Sequence, residues 1–225
     1  MPLIGNLLMG AGIVPVTVTW ASSAKSTSAL TTYTFSSLSI GTASSDRKII
    51  VNGHAEANGA GTALSVSSLT VDGISATLLV AFPTTDGSDR VAQEVWIASV
   101  PTGTTGNVVV TMAAGITRCG VGVFATTGAS STASATYTST ADPLSVSASC
   151  QSGGAIIGGA VAQGGSTSFT WAGITERYDE VVGGATYQSG ASLAFTAAQS
   201  GLTVSATGSG TLPLSVLAVV ALKPA

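Results

Sequence analysis

The sequence predicts an all-β protein: an antiparallel β-sandwich, jelly-roll-like, behind an extended apolar N-terminal arm. Three observations predict it. Apolar and polar residues alternate with a period of two almost from end to end, the signature of half-buried strands. Gly, Asp and Asn recur as turn signals roughly every ten residues, as in sandwiches and jelly rolls. Sustained spacing of three and four is missing, so almost no helix is expected.

Composition narrows the class. Of 225 residues, 34 are Ala, 31 Ser, 31 Thr and 28 Gly, more than half the chain. Charged residues make up 8%, against roughly 25% in an ordinary domain, so hydroxyls and backbone must clothe the surface. A chain that is 45% hydrophobic with a net charge of −3 is not disordered, because disorder combines low hydrophobicity with high charge. The seven Lys and Arg are scattered, and phosphate binding needs them clustered, which argues against nucleic acid. No apolar run reaches the roughly 18 residues of a membrane span. The first positive charge is Lys25, whereas a secretory signal carries Lys or Arg ahead of its apolar stretch.

The elements follow in order. Residues 1–15 lack alternation and carry Leu3, Ile4, Leu7, Leu8 and Ile13. An exposed apolar tail is a liability on a free monomer, so these five residues are the expected assembly interface, an arm lying on its own body or on a neighbour. Residues 16–225 are expected to form a single β-sandwich domain, with a possible sub-boundary at 128–142, a small polar stretch that reads as an edge strand or a linker. In VTVTW, Val16, Val18 and Trp20 share a face. In ISATLLV, Ile74, Ala76, Leu78 and Val80 do. Asp72-Gly73, between SLTV and ISATLLV, is the strongest hairpin signal, since both turn positions want positive φ. Gly120 and Gly122 alternate with Cys119, Val121 and Val123, which leaves one strand face bare for something to pack closely over it. Cys119 and Cys150 fall on apolar strand phases and read as buried free thiols. The closing run LPLSVLAVVALKP is apolar on both phases, as in a central strand covered on both sides; a short buried helix is the rival reading.

Little catalytic chemistry is offered. His54 is the only histidine, which removes triads and His-metal clusters, and it reads as a strand residue at a turn. No nucleophile elbow, phosphate loop or Cys/His metal spacing appears, so no catalytic, cofactor or metal residues are expected. Asp86 and Asp89 read as a solvated turn in which a carboxylate caps backbone N–H groups. Trp171, Glu176, Arg177, Tyr178 and Asp179 form the densest polar cluster, a candidate ligand loop in which an aromatic face beside charges holds a sugar. Its plainer reading places Trp171 in a core and pairs Arg177 with a neighbouring acid.

The order of these parts resembles a recurring family of virion proteins of tailed phages and prophages. The matching parts run from SSLSIGTASSDRKIIVNG through SSLTVDGISATLLV, EVWIASVPTGTTGNVVVTM and ITRCGVGVFATTGA, then WAGITERYDE and an apolar closing strand. Together they cover residues 34–223; each motif is turn and strand chemistry, and their order is the more specific feature. The resemblance implies a non-enzymatic structural subunit of the virion, assembled in the host cytoplasm. Its implied partners are capsid or tail proteins and further copies of itself, with no nucleic acid and no membrane. A capsid decoration or cement role fits the arm; a glycan-binding or adhesive module of a head or tail fibre is the alternative.

Overall fold

Period-two alternation becomes strand throughout. The computed structural model of the chain describes residues 13–165 and 168–225, and among them there is no helix. Nine strands occupy the first half: β1 (Thr17–Ser26), β2 (Leu30–Ser39), β3 (Lys48–Asn58), β4 (Val66–Val71), β5 (Ile74–Ser75), β6 (Thr77–Thr85), β7 (Asp89–Ser99), β8 (Thr105–Ile116) and β9 (Arg118–Thr127). Eight occupy the second: β10 (Ala129–Ser139), β11 (Leu144–Cys150), β12 (Ala155–Gln163), β13 (Phe169–Ala172), β14 (Thr175–Gly183), β15 (Thr186–Ala194), β16 (Gln199–Gly208) and β17 (Leu214–Pro224). Every pairing is antiparallel.

Each half builds one five-stranded sheet and one smaller sheet, in orders that correspond throughout except for the two-residue β5, which has no counterpart. The first half gives β1-β9-β3-β7-β6 and β2-β8-β4-β5; the second gives β10-β17-β12-β15-β14 and β11-β16-β13. Even the irregularities recur. β6 shifts register against β7 between Leu78 and Val80, and β14 shifts against β15 between Glu176 and Tyr178. The chain is thus an internal structural repeat.

Apolar cores at three levels follow from this layering, the one between the halves in two clusters. Tyr33, Phe35, Ile49, Val51, Val110 and Val121 fill the space between the two sheets of the first half. Leu144, Ile156, Trp171, Val204, Leu217 and Val219 do so in the second. Between the halves, the two five-stranded sheets face each other through Ile50, Val95, Ile97 and Phe124 on one side and Ile157, Tyr178, Ala218 and Val220 on the other. β1 lies against β14, and β10 against β6. Both five-stranded sheets are therefore buried on both faces, which accounts for strands that are apolar on both phases. In the closing strand β17, Leu217, Val219 and Ala221 enter the second core while Ala218, Val220 and Leu222 enter the core between the halves. It is a strand, paired with β10 and β12, and the helix reading of that run falls away.

Asp72 and Gly73 turn the chain with φ of 51° and 77°. Asp86 Oδ1 accepts the backbone N–H groups of Ser88 and Asp89, each at 2.8 Å. Cys119 and Cys150 are free and buried, one in each of the outer cores. The 128–142 stretch carries β10, at the edge of its sheet. ISATLLV departs from the simple alternation expected of it. The chain leaves the smaller sheet at Ala76 and joins the five-stranded sheet, and the bulge at Leu79 resets the phase. Ile74 and Leu78 are consequently exposed, while Leu79 and Val80 pack between the halves.

One buried charge organises an end of the first half. Arg47 is 1% exposed, and its guanidinium donates to three carbonyls: Nε to Val100 (2.6 Å), Nη1 to Gly41 (2.8 Å) and Nη2 to Thr102 (2.6 Å). A planar fork with several donors can join loops in this way, and an ammonium cannot.

Candidate functional site: the polar seam between the halves

Asn52, His54 and Glu56 alternate along β3 and so share a face. That face looks toward the second half, not toward water: the three are at most 2% exposed. On the neighbouring strand β9, Gly122 stands opposite Asn52 and Gly120 opposite His54. The bare strip they leave is filled from the other side. The Tyr178 ring of β14 occupies the space a side chain on Gly122 or Gly190 would take, and the Gln188 amide of β15 does the same over Gly120. The close packing expected at these two glycines is thereby explained. Gly159 of β12 serves the converse role, for a Cβ there would meet Gln93 Nε2 at 2.5 Å and Asn52 Cγ at 3.0 Å.

Hydrogen bonds then stitch the seam. His54 Nε2 and the Tyr178 hydroxyl share one at 2.8 Å, and Asn52 Nδ2 donates to the Gly158 carbonyl at 2.9 Å. Arg118 Nη1 donates to Glu56 Oε2 at 2.6 Å and to Thr186 Oγ1 at 3.2 Å. The Thr186 hydroxyl in turn donates a hydrogen bond to Gln163 Oε1 at 2.6 Å. Nearer the rim, Glu180 accepts from Ser23 Oγ and from Gln188 Nε2, with Lys25 Nζ 4.0 Å away. Glu56 Oε1 and Gln188 Oε1 are buried with no protein partner, which costs about 1–3 kcal/mol for each such group.

Burial sets the protonation states. Desolvation pulls the His54 imidazole down to about 3, so it is neutral at physiological pH. It also pushes the Tyr178 phenol well above its ordinary value. Glu56 is raised by desolvation against the lowering pull of Arg118. Glu94, on the opposite face of β7, is likewise raised by desolvation, while the Val66 N–H and the Trp96 indole N–H hold it. With the imidazole lowered and the phenol raised, proton transfer from Tyr178 to His54 is disfavoured, and the pair is sealed between two sheets, with Tyr178 only 6% exposed.

The residues singled out from sequence lie elsewhere or in other roles. Leu3, Ile4, Leu7 and Leu8 fall outside the described residues. Ile13 is 67% exposed, as is Val14, and Val16 ties the chain down by donating its N–H to the Gly153 carbonyl at 2.7 Å. The candidate ligand loop is not a loop: Trp171 lies on β13 of the smaller sheet, and Glu176, Arg177, Tyr178 and Asp179 lie on β14 of the five-stranded sheet. Alternation sends neighbouring members to opposite faces. Trp171 is 8% exposed, its ring lies over Gly158, and its indole N–H donates to Ser189 Oγ at 2.8 Å. Tyr178 belongs to the seam, Arg177 donates to the hydroxyl and carbonyl of Ser192 instead of pairing with an acid, and Asp179 accepts the Phe169 N–H at 3.0 Å. No open aromatic face remains there for a sugar. His54 sits in mid-strand instead of at a turn.

Among the described residues no group of three or more His, Cys, Asp or Glu comes together to hold a metal ion, and no helix is long and apolar enough to cross a membrane. No family model matches the chain, and no curated protein does.

Proposed function

We propose that the chain is a non-enzymatic structural subunit of a phage particle, most simply a capsid decoration or cement protein, and that each half is a jelly-roll-like sandwich. The observation that carries the assembly reading is the contrast between two corresponding edge strands. β14 bears Glu176, Arg177, Asp179 and Glu180. β6, its counterpart, reads TLLVAFPTT with no charge, and Leu78 there is 42% exposed, just after Ile74 at 39%. Charges on an edge strand discourage pairing with another chain, and an uncharged apolar edge invites it. The N-terminal arm supplies a second contact, because Ile13 and Val14 leave the body exposed.

The remaining features agree with this reading. A chain with 8% charged residues and a net charge of −3 repels its neighbours little. The acid–base groups of the seam are enclosed, where no substrate reaches them. Capsid or tail proteins and further copies of the chain are the partners, and the virion is the place of action. The alternative, a glycan-binding or adhesive module built on Trp171, is left without its stacking surface. Sedimentation velocity of the purified chain beside an L78K variant tests the assembly reading. Wild type is expected to self-associate at micromolar concentration and L78K to sediment as a monomer; identical monomers for both would count against β6 as a contact.

A further inference from the structure

We infer that the inner face of each half is a recognition surface for the other half and excludes a second copy of itself. Two modules of one topology, facing each other through corresponding sheets, resemble the isologous contact of a symmetric dimer, in which self-pairing is the default. Here the side chains break that equivalence.

The ladders give the corresponding positions. Ile50 pairs with Phe124 and Asn52 with Gly122; Ile157 pairs with Val220 and Gly159 with Ala218. Ala218 therefore stands where Gly122 stands, and two residues earlier Val216 stands where Gly120 does. In the same way Val80, just past the bulge of β6, corresponds to Tyr178 just past the bulge of β14. Tyr178 and Gln188 belong to the second half, and Gly122 and Gly120, over which they lie, belong to the first.

Self-pairing fails on both sides for different reasons. A pair of second halves would drive Tyr178 onto Ala218 and Gln188 onto Val216, where a Cβ already fills the space. Overpacking of this kind strains a close-packed interior. A pair of first halves would place Val80 over Gly122 and leave His54 buried without the hydroxyl it now meets at 2.8 Å. That combines a void with an orphaned polar group, both destabilising. Only the mixed pair gives Tyr178 and Gln188 room and His54 its hydroxyl partner, so the chain is a self-contained pseudo-dimer.

The test cuts the folded chain. A protease site is introduced at Gly128, between β9 and β10, and the cleaved protein is examined by native mass spectrometry. It is then denatured, mixed with an isotope-labelled cleaved sample and refolded. The fragments are expected to remain a 1:1 pair after cleavage and to re-form mixed pairs only. Separation on cleavage, or pairs of like fragments at comparable abundance, would overturn the inference. G122A is expected to weaken re-pairing by roughly tenfold or more, as overpacking does, and Y178V in the same chain to restore much of it. Normal re-pairing of G122A, or no rescue by Y178V, would overturn it equally.

Discussion

His54 shows how much a single residue's meaning depends on what covers it. The unfolded chain carries an imidazole that protonates near pH 6.5, while the folded one resists protonation to about 3. The unfolded state therefore binds more protons between these values. This group's contribution is fully present above pH 6.5 and is lost as pH falls toward 3, at about 1.4 kcal/mol per pH unit. Glu56 and Glu94, both raised by burial, act in the opposite sense, stabilising when protonated and losing that contribution as pH rises. The difference between wild type and H54Q isolates the histidine. Urea midpoints measured from pH 7 to pH 4 are expected to fall more steeply for wild type than for H54Q. Parallel curves would mean that His54 is not shielded from protons.

The two thiols make a simpler case. Burial raises both Cys119 and Cys150 above the ordinary thiol value, and the thiolate is the reactive form. Neither is expected to react with a disulfide reagent in the folded chain at pH 8, and both should react at the rate of global unfolding. Fast labelling of either in native buffer would contradict the burial described.

At the scale of elements, the buried guanidinium of Arg47 makes a sharp test. Lysine supplies charge but no planar fork, so R47K leaves carbonyls among Gly41, Val100 and Thr102 without donors. A loss of about 2–4 kcal/mol in chemical denaturation is expected, from two or more lost bonds to a buried charged group; a loss below roughly 0.5 kcal/mol, the range of surface substitutions, would show the contacts to be dispensable. Element type was legible because strand periodicity survives in almost every segment: the Asp72-Gly73 hairpin, the bare Gly120–Gly122 strip and the two-faced closing strand were all readable. The polar seam was not. Asn52, His54 and Glu56 form a proper polar phase, and a period of two says which residues share a face but not whether water or another sheet lies over it. The Trp171 to Asp179 cluster misled for the same reason, since proximity in sequence along strands means opposite faces in space.

For the whole molecule, the internal repeat was the feature least visible in the sequence. Corresponding strands β3 and β12 read KIIVNGHAEAN and AIIGGAVAQ, with Ile49 and Ile50 matching Ile156 and Ile157 and little else. Strand packing demands alternation and volume, not identity, and specialisation of the two inner faces removed further likeness. The result is a four-layered body whose middle is closed. The proposed assembly role is tested by co-sedimentation with phage heads assembled without the chain. The full chain, L78K and a chain lacking residues 1–12 are compared after each is shown to be folded. Saturable binding of the full chain is expected, with a loss of roughly tenfold or more on removal of residues 1–12, the scale set by about 1.4 kcal/mol of lost apolar contact. Failure of the full chain to bind heads at any concentration tested would contradict it.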